Sequence, residues 1–392
     1  MDYKVIVFGQ HNLNTLGQIR SYGEIGIKPI VIWVSDDSHS PKGNKYIQEF
    51  YNFNSFEEGL DFIITNYNKN KYFISTDSDS IIALLDQNYN KLKEHFYFFN
   101  AGEQGRLTSF MPKHTQCQLL KKHGFNIPKT ELVSVGDLPK DLKYPIFTKA
   151  TDSLEFGWKK NSFICNNDKE LLKAYKSMNA KKILLQEFIK KDNEIAFEGI
   201  SVNGGEEIFL PIQGEYLRIE DGTFGTYKKN ELFHEGEEFK LKLSKVFKEI
   251  HYSGVFEVEF IRDLSGNLFF LEINFRHTQY NHALTDMGAN FCKLWIDSIY
   301  YKTLTGFNLH YIKNPSLVMN ETKDFRASVL TKKISFFDWI KDFIKCDSYY
   351  IIDKKDLSFT ILYFLSSIKR ILKYKLQFYS LFKQIATKNI ML

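Results

Sequence analysis

Between Phe256 and Arg276 the chain reads Phe-Glu-Val-Glu-Phe-Ile-Arg-Asp-Leu-Ser-Gly-Asn-Leu-Phe-Phe-Leu-Glu-Ile-Asn-Phe-Arg, a pattern that leaves the backbone little choice. Side chains alternate across a strand, so Phe256, Val258 and Phe260 take one face while Glu257 and Glu259 take the other. Leu271 and Ile273 alternate in the same way with Glu272 and Asn274, and Asp263-Leu264-Ser265-Gly266-Asn267 supplies turn chemistry between the two runs. An antiparallel hairpin brings Glu259 toward the Glu272/Asn274 pair. Spacing alone leaves two readings open: a hairpin with a solvated acidic face, or hard oxygen ligands that hold Mg2+ against phosphates.

At 392 residues the chain can bury two or three packed subdomains. Its four cysteines (Cys117, Cys165, Cys292, Cys346) are widely spaced with no C-x-x-C pair, which fits a reduced, cytosolic setting without a cysteine metal site. The apolar run at Val5-Ile6-Val7-Phe8 is too short for a signal peptide, and no stretch of about 18 apolar residues predicts a spanning helix. The net charge of +5 is uneven: from Lys354 onward eight Lys/Arg face the single Asp356, a net +7, which leaves the body at −2. That charge excludes the body as a nucleic-acid binder.

The first 111 residues alternate strand and helix signals. Strands are expected at Val5–Phe8, Pro29–Val34, Tyr72–Ser75 and Phe96–Asn100, with helices at Asn14–Ile25, Ser55–Asn66 and Ser80–Leu92. Such alternation implies a parallel sheet whose carboxyl edge forms a crevice, lined by Gly9–Asn14 and Thr76-Asp77-Ser78-Asp79. Asp77 and Asp79 fit either plain caps or contacts for an amino group. Neither G-x-G-x-x-G nor G-x-x-x-x-G-K-[ST] occurs. A helix from Pro112 to Gly124, strands at Glu131–Val135, Pro145–Ala150, Asn161–Cys165 and Lys182–Leu185, and a helix at Asp168–Ser177 follow.

The Val-Glu-Phe … Leu-Glu-Ile-Asn-Phe-Arg pattern resembles the metal-binding strands of the ATP-grasp superfamily. The resemblance implies an α/β chain with an α+β grasp module: a parallel-sheet pre-ATP-grasp domain (1–111), a small subdomain (112–190), a large subdomain (191–308) and a basic, partly helical C-terminal extension (309–392). It implies ATP and two Mg2+ ions, with Mn2+ as a substitute, held by Glu259, Glu272 and Asn274. Lys113, and Lys149 in Tyr144-Pro145-Ile146-Phe147-Thr148-Lys149, stand where the family's phosphate lysines stand, although composition alone reads them as exposed residues of a lysine-rich chain. The loop after Lys149 is glycine-rich in the family but carries here only Gly157, and Ser153 is its expected phosphate donor. Gln186, Glu187, Phe188 and Ile189 match the adenine hinge, and Glu194 the ribose acid. Arg276 is expected at the acyl phosphate. Arg218 and Lys228 are expected there too, or else as solvated strand residues.

By the same resemblance, the activity is that of a carbon–nitrogen ligase (EC 6.3 class) that activates a carboxylate as an acyl phosphate and passes it to an amine. The chain is similar to D-aspartate ligase-like, cell-envelope amino acid ligases in Asn14–Ile27 and in the stretch from Trp339 to Asp356. This points to small-molecule carboxylate and amine substrates, one of them sugar- or lipid-linked in peptidoglycan or polysaccharide synthesis, and to a monomer or homodimer in the cytoplasm. The competing readings are a bicarbonate-using carboxylase or carbamoyl-phosphate-type enzyme, and an inactive ATP-grasp binding module. The basic segment Ser358–Ile390 fits either a helix packed on the body or peripheral contact with an anionic inner membrane face.

Overall fold

The computed structural model describes residues 3–10, 12–35, 40–150, 162–219, 225–304 and 312–366. The first domain is a five-stranded sheet of Val5–Gly9 (β1), Ile30–Trp33 (β2), Glu49–Asn52 (β3), Tyr72–Thr76 (β4) and Phe96–Tyr97 (β5), in the order β3-β2-β1-β4-β5 with every pair parallel. Continuous apolar runs such as Val5-Ile6-Val7-Phe8 follow from burial of both faces. Ile6, Phe8, Ile32 and Ile74 pack against the helices Phe56–Tyr67 and Asp79–Gln87. Val5, Val7, Trp33 and Phe73 share a core with the helices Asn12–Glu24 and Phe291–Tyr301.

Two features differ from the sequence reading. β3 is an edge strand whose Glu49-Phe50-Tyr51-Asn52 lacks an apolar repeat, so its pattern carries no strand signal. The helix expected over Ser80–Leu92 is two helices, Asp79–Gln87 and Tyr89–Leu92, parted at Asn88, whose side-chain amide donates to the Leu84 carbonyl at 2.9 Å.

The second unit is an antiparallel sheet of Thr130–Ser134 (β6), Ile146–Ala150 (β7), Ile164–Cys165 (β8) and Lys182–Glu187 (β9), ordered β6-β9-β7-β8. Its small core of Ile146, Cys165, Leu171, Ile183 and Leu185 is closed by the helix Asp168–Tyr175.

The third is a seven-stranded sheet of Lys191–Val202 (β10), Glu207–Arg218 (β11), Tyr227–Leu232 (β12), Gly254–Asp263 (β13), Leu268–Asn274 (β14), Ser316–Met319 (β15) and Ser348–Tyr349 (β16). The order β14-β13-β10-β11-β12-β15-β16 is antiparallel except for β15 with β16, so residues beyond 308 extend this sheet. Phe197, Phe256 and Phe260 line its apolar face, where Phe247 of the helix Glu237–Ile250 stacks on Phe256 with ring centroids 3.9 Å apart.

The chain past β16 is anchored on the first domain. Arg20, fully buried, donates to the Tyr350 and Ile351 carbonyls at 3.3 and 2.9 Å and lies 3.4 Å from Asp353. Glu321 accepts the N–H groups of Tyr350, Ile351 and Ile352. Beside them Glu24 takes His282 at 2.8 Å and Lys355 at 2.5 Å. Burial opposes ionisation of Glu24, but these two donors outweigh it and bring its carboxyl down to about 2. A carboxylate depressed on folding stabilises above its unfolded pKa and loses that stabilisation as pH falls through the folded value. Glu24→Gln should therefore unfold more easily by on the order of 2 kcal/mol near neutral pH. In calorimetric scans across pH, the gap to wild type should close between about pH 4.5 and pH 2.

Candidate active site

The hairpin β13–β14 sets the site. Its register places Glu259 opposite Glu272 and Glu257 opposite Asn274, all on the face away from the aromatic core. Asn274 Nδ2 donates to Glu257 at 2.9 Å and to Glu259 at 3.3 Å, while its Oδ1 accepts from Arg276 at 3.2 Å. The two amide ends are thus assigned by their partners.

β14 is an edge strand, and the helix Lys113–Lys122 covers it. Gln116 Nε2 donates to the Ile273 carbonyl at 3.1 Å and its Oε1 accepts the Ile273 N–H at 2.9 Å. That clamp fixes the first turn of the helix, one turn before Gln116, so that Lys113 forms an ion pair with Glu272. Lys149, on β7, joins the same group. Burial and then the charge of Lys113 push its ammonium down to about 8.

The carboxylates crowd one another as well. Burial, followed by the charges of Glu257, Glu272 and Glu194, raises Glu259 well above the ordinary carboxylate range. Glu272 moves the other way, because Lys113 and then Lys149 and Arg276 outweigh its burial. Glu198 on β10 lies opposite Glu257, and burial and then the Glu257 charge raise it too. A cluster of hard oxygens in which one carboxyl is held back from ionising by its neighbours suits a divalent cation, which would relieve that repulsion. Glu259, Glu272 and Asn274 would hold it, Asn274 after turning its Oδ1 from Arg276 toward the acids.

Arg276 Nε and Nη2 donate to the two oxygens of Asp79 at 2.9 and 3.3 Å. The first domain's crevice loop therefore meets the segment leaving β14, and Asp79 is engaged by this guanidinium. Asp77 is buried and accepts from Thr15 at 2.8 Å.

Near the end of β9, Gln186 is buried and donates to Thr130 at 3.1 Å. The N–H groups of Glu187 and Phe188 donate to the Lys129 and Pro145 carbonyls, and Ile189 follows them out of β9. Glu194 pairs with Lys191 at 3.0 Å, and its charge reaches Glu259. Lys228 is buried with its Nζ 3.8 Å from Glu198.

Arg218 pairs with acids of the C-terminal region. Its fork takes Asp324 at 3.0 Å through two nitrogens and Asp342 at 2.6 Å, with the guanidinium 4.6 Å from the centre of the Tyr227 ring. These contacts tie Arg218 to the C-terminal region. Ser153 and its loop lie outside the described residues. Sequence reasoning passed over Glu257, Glu198 and Gln116 as site residues. Glu257 shares its parity with Glu259 and was visible in the alternation, whereas nothing local marked Gln116.

A parallel-sheet domain, a small antiparallel subdomain and a large antiparallel sheet bearing paired acids match the architecture that the resemblance to the ATP-grasp superfamily implies. No family model matches the chain. A curated relative, the 2-oxoglutarate carboxylase small subunit of Hydrogenobacter thermophilus, is 27% identical over 160 residues, 38% of this chain. The match spans only 33% of that relative's own length. Among solved structures, the ADP complex of an N5-carboxyaminoimidazole ribonucleotide synthetase is similar with a TM-score of 0.64, 16% identity and 85% of each chain covered. The L-amino acid ligase of Bacillus licheniformis gives 0.58 at 16% identity, covering 76% of this chain and 74% of that one. The biotin carboxylase domain of the Hydrogenobacter enzyme, a dimer solved with MgADP and bicarbonate, gives 0.61 at 20%, covering 81% and 74%. At these identities the likeness is one of fold.

The depressed Lys149 yields a stability test. Its unfolded pKa of 10.5 falls to about 8 on folding, so the folded state carries a cost that is full below pH 8 and vanishes by about pH 10.5. Lys149→Met should melt about 2 °C above wild type at pH 7. In scans run at successive pH values the two curves should meet above pH 10.

Proposed function

We propose that this chain is an ATP-dependent ligase that joins a carboxylate to an amine through an acyl phosphate. The observation that carries this reading is the convergence of Lys113 from its helix, Lys149 from β7, and Glu259, Glu272, Asn274 and Arg276 from the β13–β14 hairpin and the segment after it. Similarity to folds solved with ADP and MgADP supports the nucleotide.

In this reading Lys113 and Lys149 neutralise the phosphates of ATP, with Gln186 to Ile189 at the adenine and Glu194 at the ribose. Two Mg2+ ions (or Mn2+) at Glu259, Glu272 and Asn274 would supply charge neutralisation at the transferred phosphoryl group. A carboxylate oxygen attacks the γ-phosphorus as the bond to the β-phosphate oxygen breaks, which releases ADP. Arg276 stabilises the acyl phosphate. The amine nitrogen then attacks the acyl carbon, the carbon–oxygen bond to phosphate breaks, and the amine gives up a proton. Asp79 holds the Arg276 fork in place until substrate enters.

The amine or the carboxylate belongs to a cell-envelope precursor, sugar- or lipid-linked, reached from the cytoplasmic side. No described helix is long and apolar enough to cross a membrane. The helix over 357–366 turns Leu357, Ile361, Leu362 and Leu365 outward, and the sequence after it holds Lys369, Arg370, Lys373 and Lys375. Both features support peripheral contact with an anionic surface. A second reading, a bicarbonate-using carboxylase, is favoured by the curated relative and by the bicarbonate complex.

ADP release separates the two. Turnover that requires a carboxylate and an amine together supports the ligase, whereas bicarbonate-dependent release without an amine supports the carboxylase. Glu272→Gln should lower ADP release at least 100-fold, about 3 kcal/mol of transition-state stabilisation, with the melting transition retained. Near-wild-type release in that variant would refute the metal assignment.

A further inference from the structure

A cavity of about 460 Å³ lies in the seam between the first domain and the large sheet. The first domain lines it with Tyr89, Lys93 and Phe96 to Phe98, and the large sheet with Ser201 near the end of β10 and Gly254 at the start of β13. The helix Phe291–Tyr301 and the residue after it add Trp295 and Lys302. Its volume is that of a small-molecule site.

This space is separate from the candidate active site. Tyr97 pairs with Phe73, three residues and about 10 Å of strand before Thr76, where the crevice loop begins. Gly254 precedes Glu257 by three residues and Glu259 by five, about 10 and 17 Å along β13. No lining residue belongs to the metal, phosphate or adenine sets.

The lining has a definite chemistry. It holds two lysines and neither Asp nor Glu. Lys93 and Lys302 are exposed, and neither ammonium has an acidic partner among the described residues: Lys93 Nζ lies 5.6 Å from the centre of the Tyr89 ring, and Lys302 is engaged through its carbonyl, which accepts from Asn203 at 3.1 Å. Two uncompensated cations on one cavity draw an anion. Lys302 bears a second mark, since it ends its helix at φ +55°, the left-handed conformation that glycine adopts freely and lysine rarely. A lysine kept where glycine is the easier choice points to work for its side chain. The remaining wall is largely aromatic: Phe96, Phe98 and Trp295 are buried, and Tyr89 meets Phe98 edge-on with ring centroids 5.9 Å apart.

We propose that this seam is a second ligand site, for a small anion that carries a planar ring, with the ammoniums at its charge and the aromatic side chains against its ring. Because the walls come from two units, the bound anion ties the first domain to the large sheet. It does so on β10 and β13, the strands that carry Glu198, Glu257 and Glu259. The site does not rest on the ligase reading. An aryl carboxylate and a nucleoside monophosphate share the required chemistry.

The full chain is melted alone and with millimolar 4-hydroxybenzoate, indole-3-acetate or AMP, each with and without saturating MgADP. Acetate and phenol serve as probes that lack the ring and the charge respectively. A ring-bearing anion should raise the Tm by about 2 °C whether or not MgADP is present, and the two partial probes should leave it unmoved. Lys93→Ala and Lys302→Gly should each at least halve that shift, while Lys302→Gly, freed of its positive φ, should itself melt at or above wild type. A response to AMP alone identifies a nucleotide, and a response to the carboxylates alone an aryl acid. The proposal is overturned if no ring-bearing anion shifts the wild type, if acetate shifts it equally, if MgADP abolishes the shift, or if the shift survives in both variants. Failure of MgADP to bind would sink the nucleotide reading of the active site, and the two lysine variants would still decide the cavity.

Discussion

Several carboxylates pressed onto one side of a sheet dictate what surrounds them. Glu257, Glu259 and Glu272 are brought within mutual reach by the register of β13 and β14, and Glu198 is added by β10. Like charges this close in a partly dry environment cannot all ionise unaided. The cations nearby come from different parts of the chain: Lys113 from the helix that covers β14, Lys149 from the small subdomain, Arg276 from the segment leaving β14, and Lys228 from β12. The acids thus give three units of structure a common reason to meet.

The segment leaving β14 shows how the meeting is enforced. Arg276 is held by Asp79, the His277 N–H donates to the Thr76 carbonyl at 3.3 Å, and Thr278 reaches Glu198. Tyr280 donates its hydroxyl to Tyr216 at 2.7 Å, and Asn281 donates to Ser21 at 3.0 Å. Within six residues the chain is fastened alternately to the parallel sheet and to the large sheet. Tyr350, from the region beyond β16, packs edge-on against Tyr280 with ring centroids 5.5 Å apart. The C-terminal region therefore bears on the same segment that positions Arg276.

What could be read beforehand followed the range of the interactions concerned. The alternation Phe256-Glu257-Val258-Glu259-Phe260 is local, and the observed faces match it. Lys113 carried no local signal beyond its resemblance, because its ion pair closes only when Gln116 meets Ile273, 157 positions away. Arg218 illustrates the limit. Its partners Asp324 and Asp342 lie 106 and 124 positions downstream, so a strand arginine looks alike whether it faces a ligand or an anchor. Lys228 was legible as a charge but not as a buried one, since only the packing around Gly214 leans it toward Glu198.

The clamp made by Gln116 has one more consequence. An edge strand offers its free backbone groups to any passing strand, and β14 is such an edge. The Gln116 amide takes both backbone groups of Ile273, and the Phe270 N–H is taken by the Asn126 carbonyl at 2.9 Å. Two positions of β14 that would otherwise template a neighbouring chain are occupied from within. The strand that holds the acids is thereby shielded from sheet-to-sheet polymerisation, and self-association through this edge is disfavoured without recourse to a surface charge.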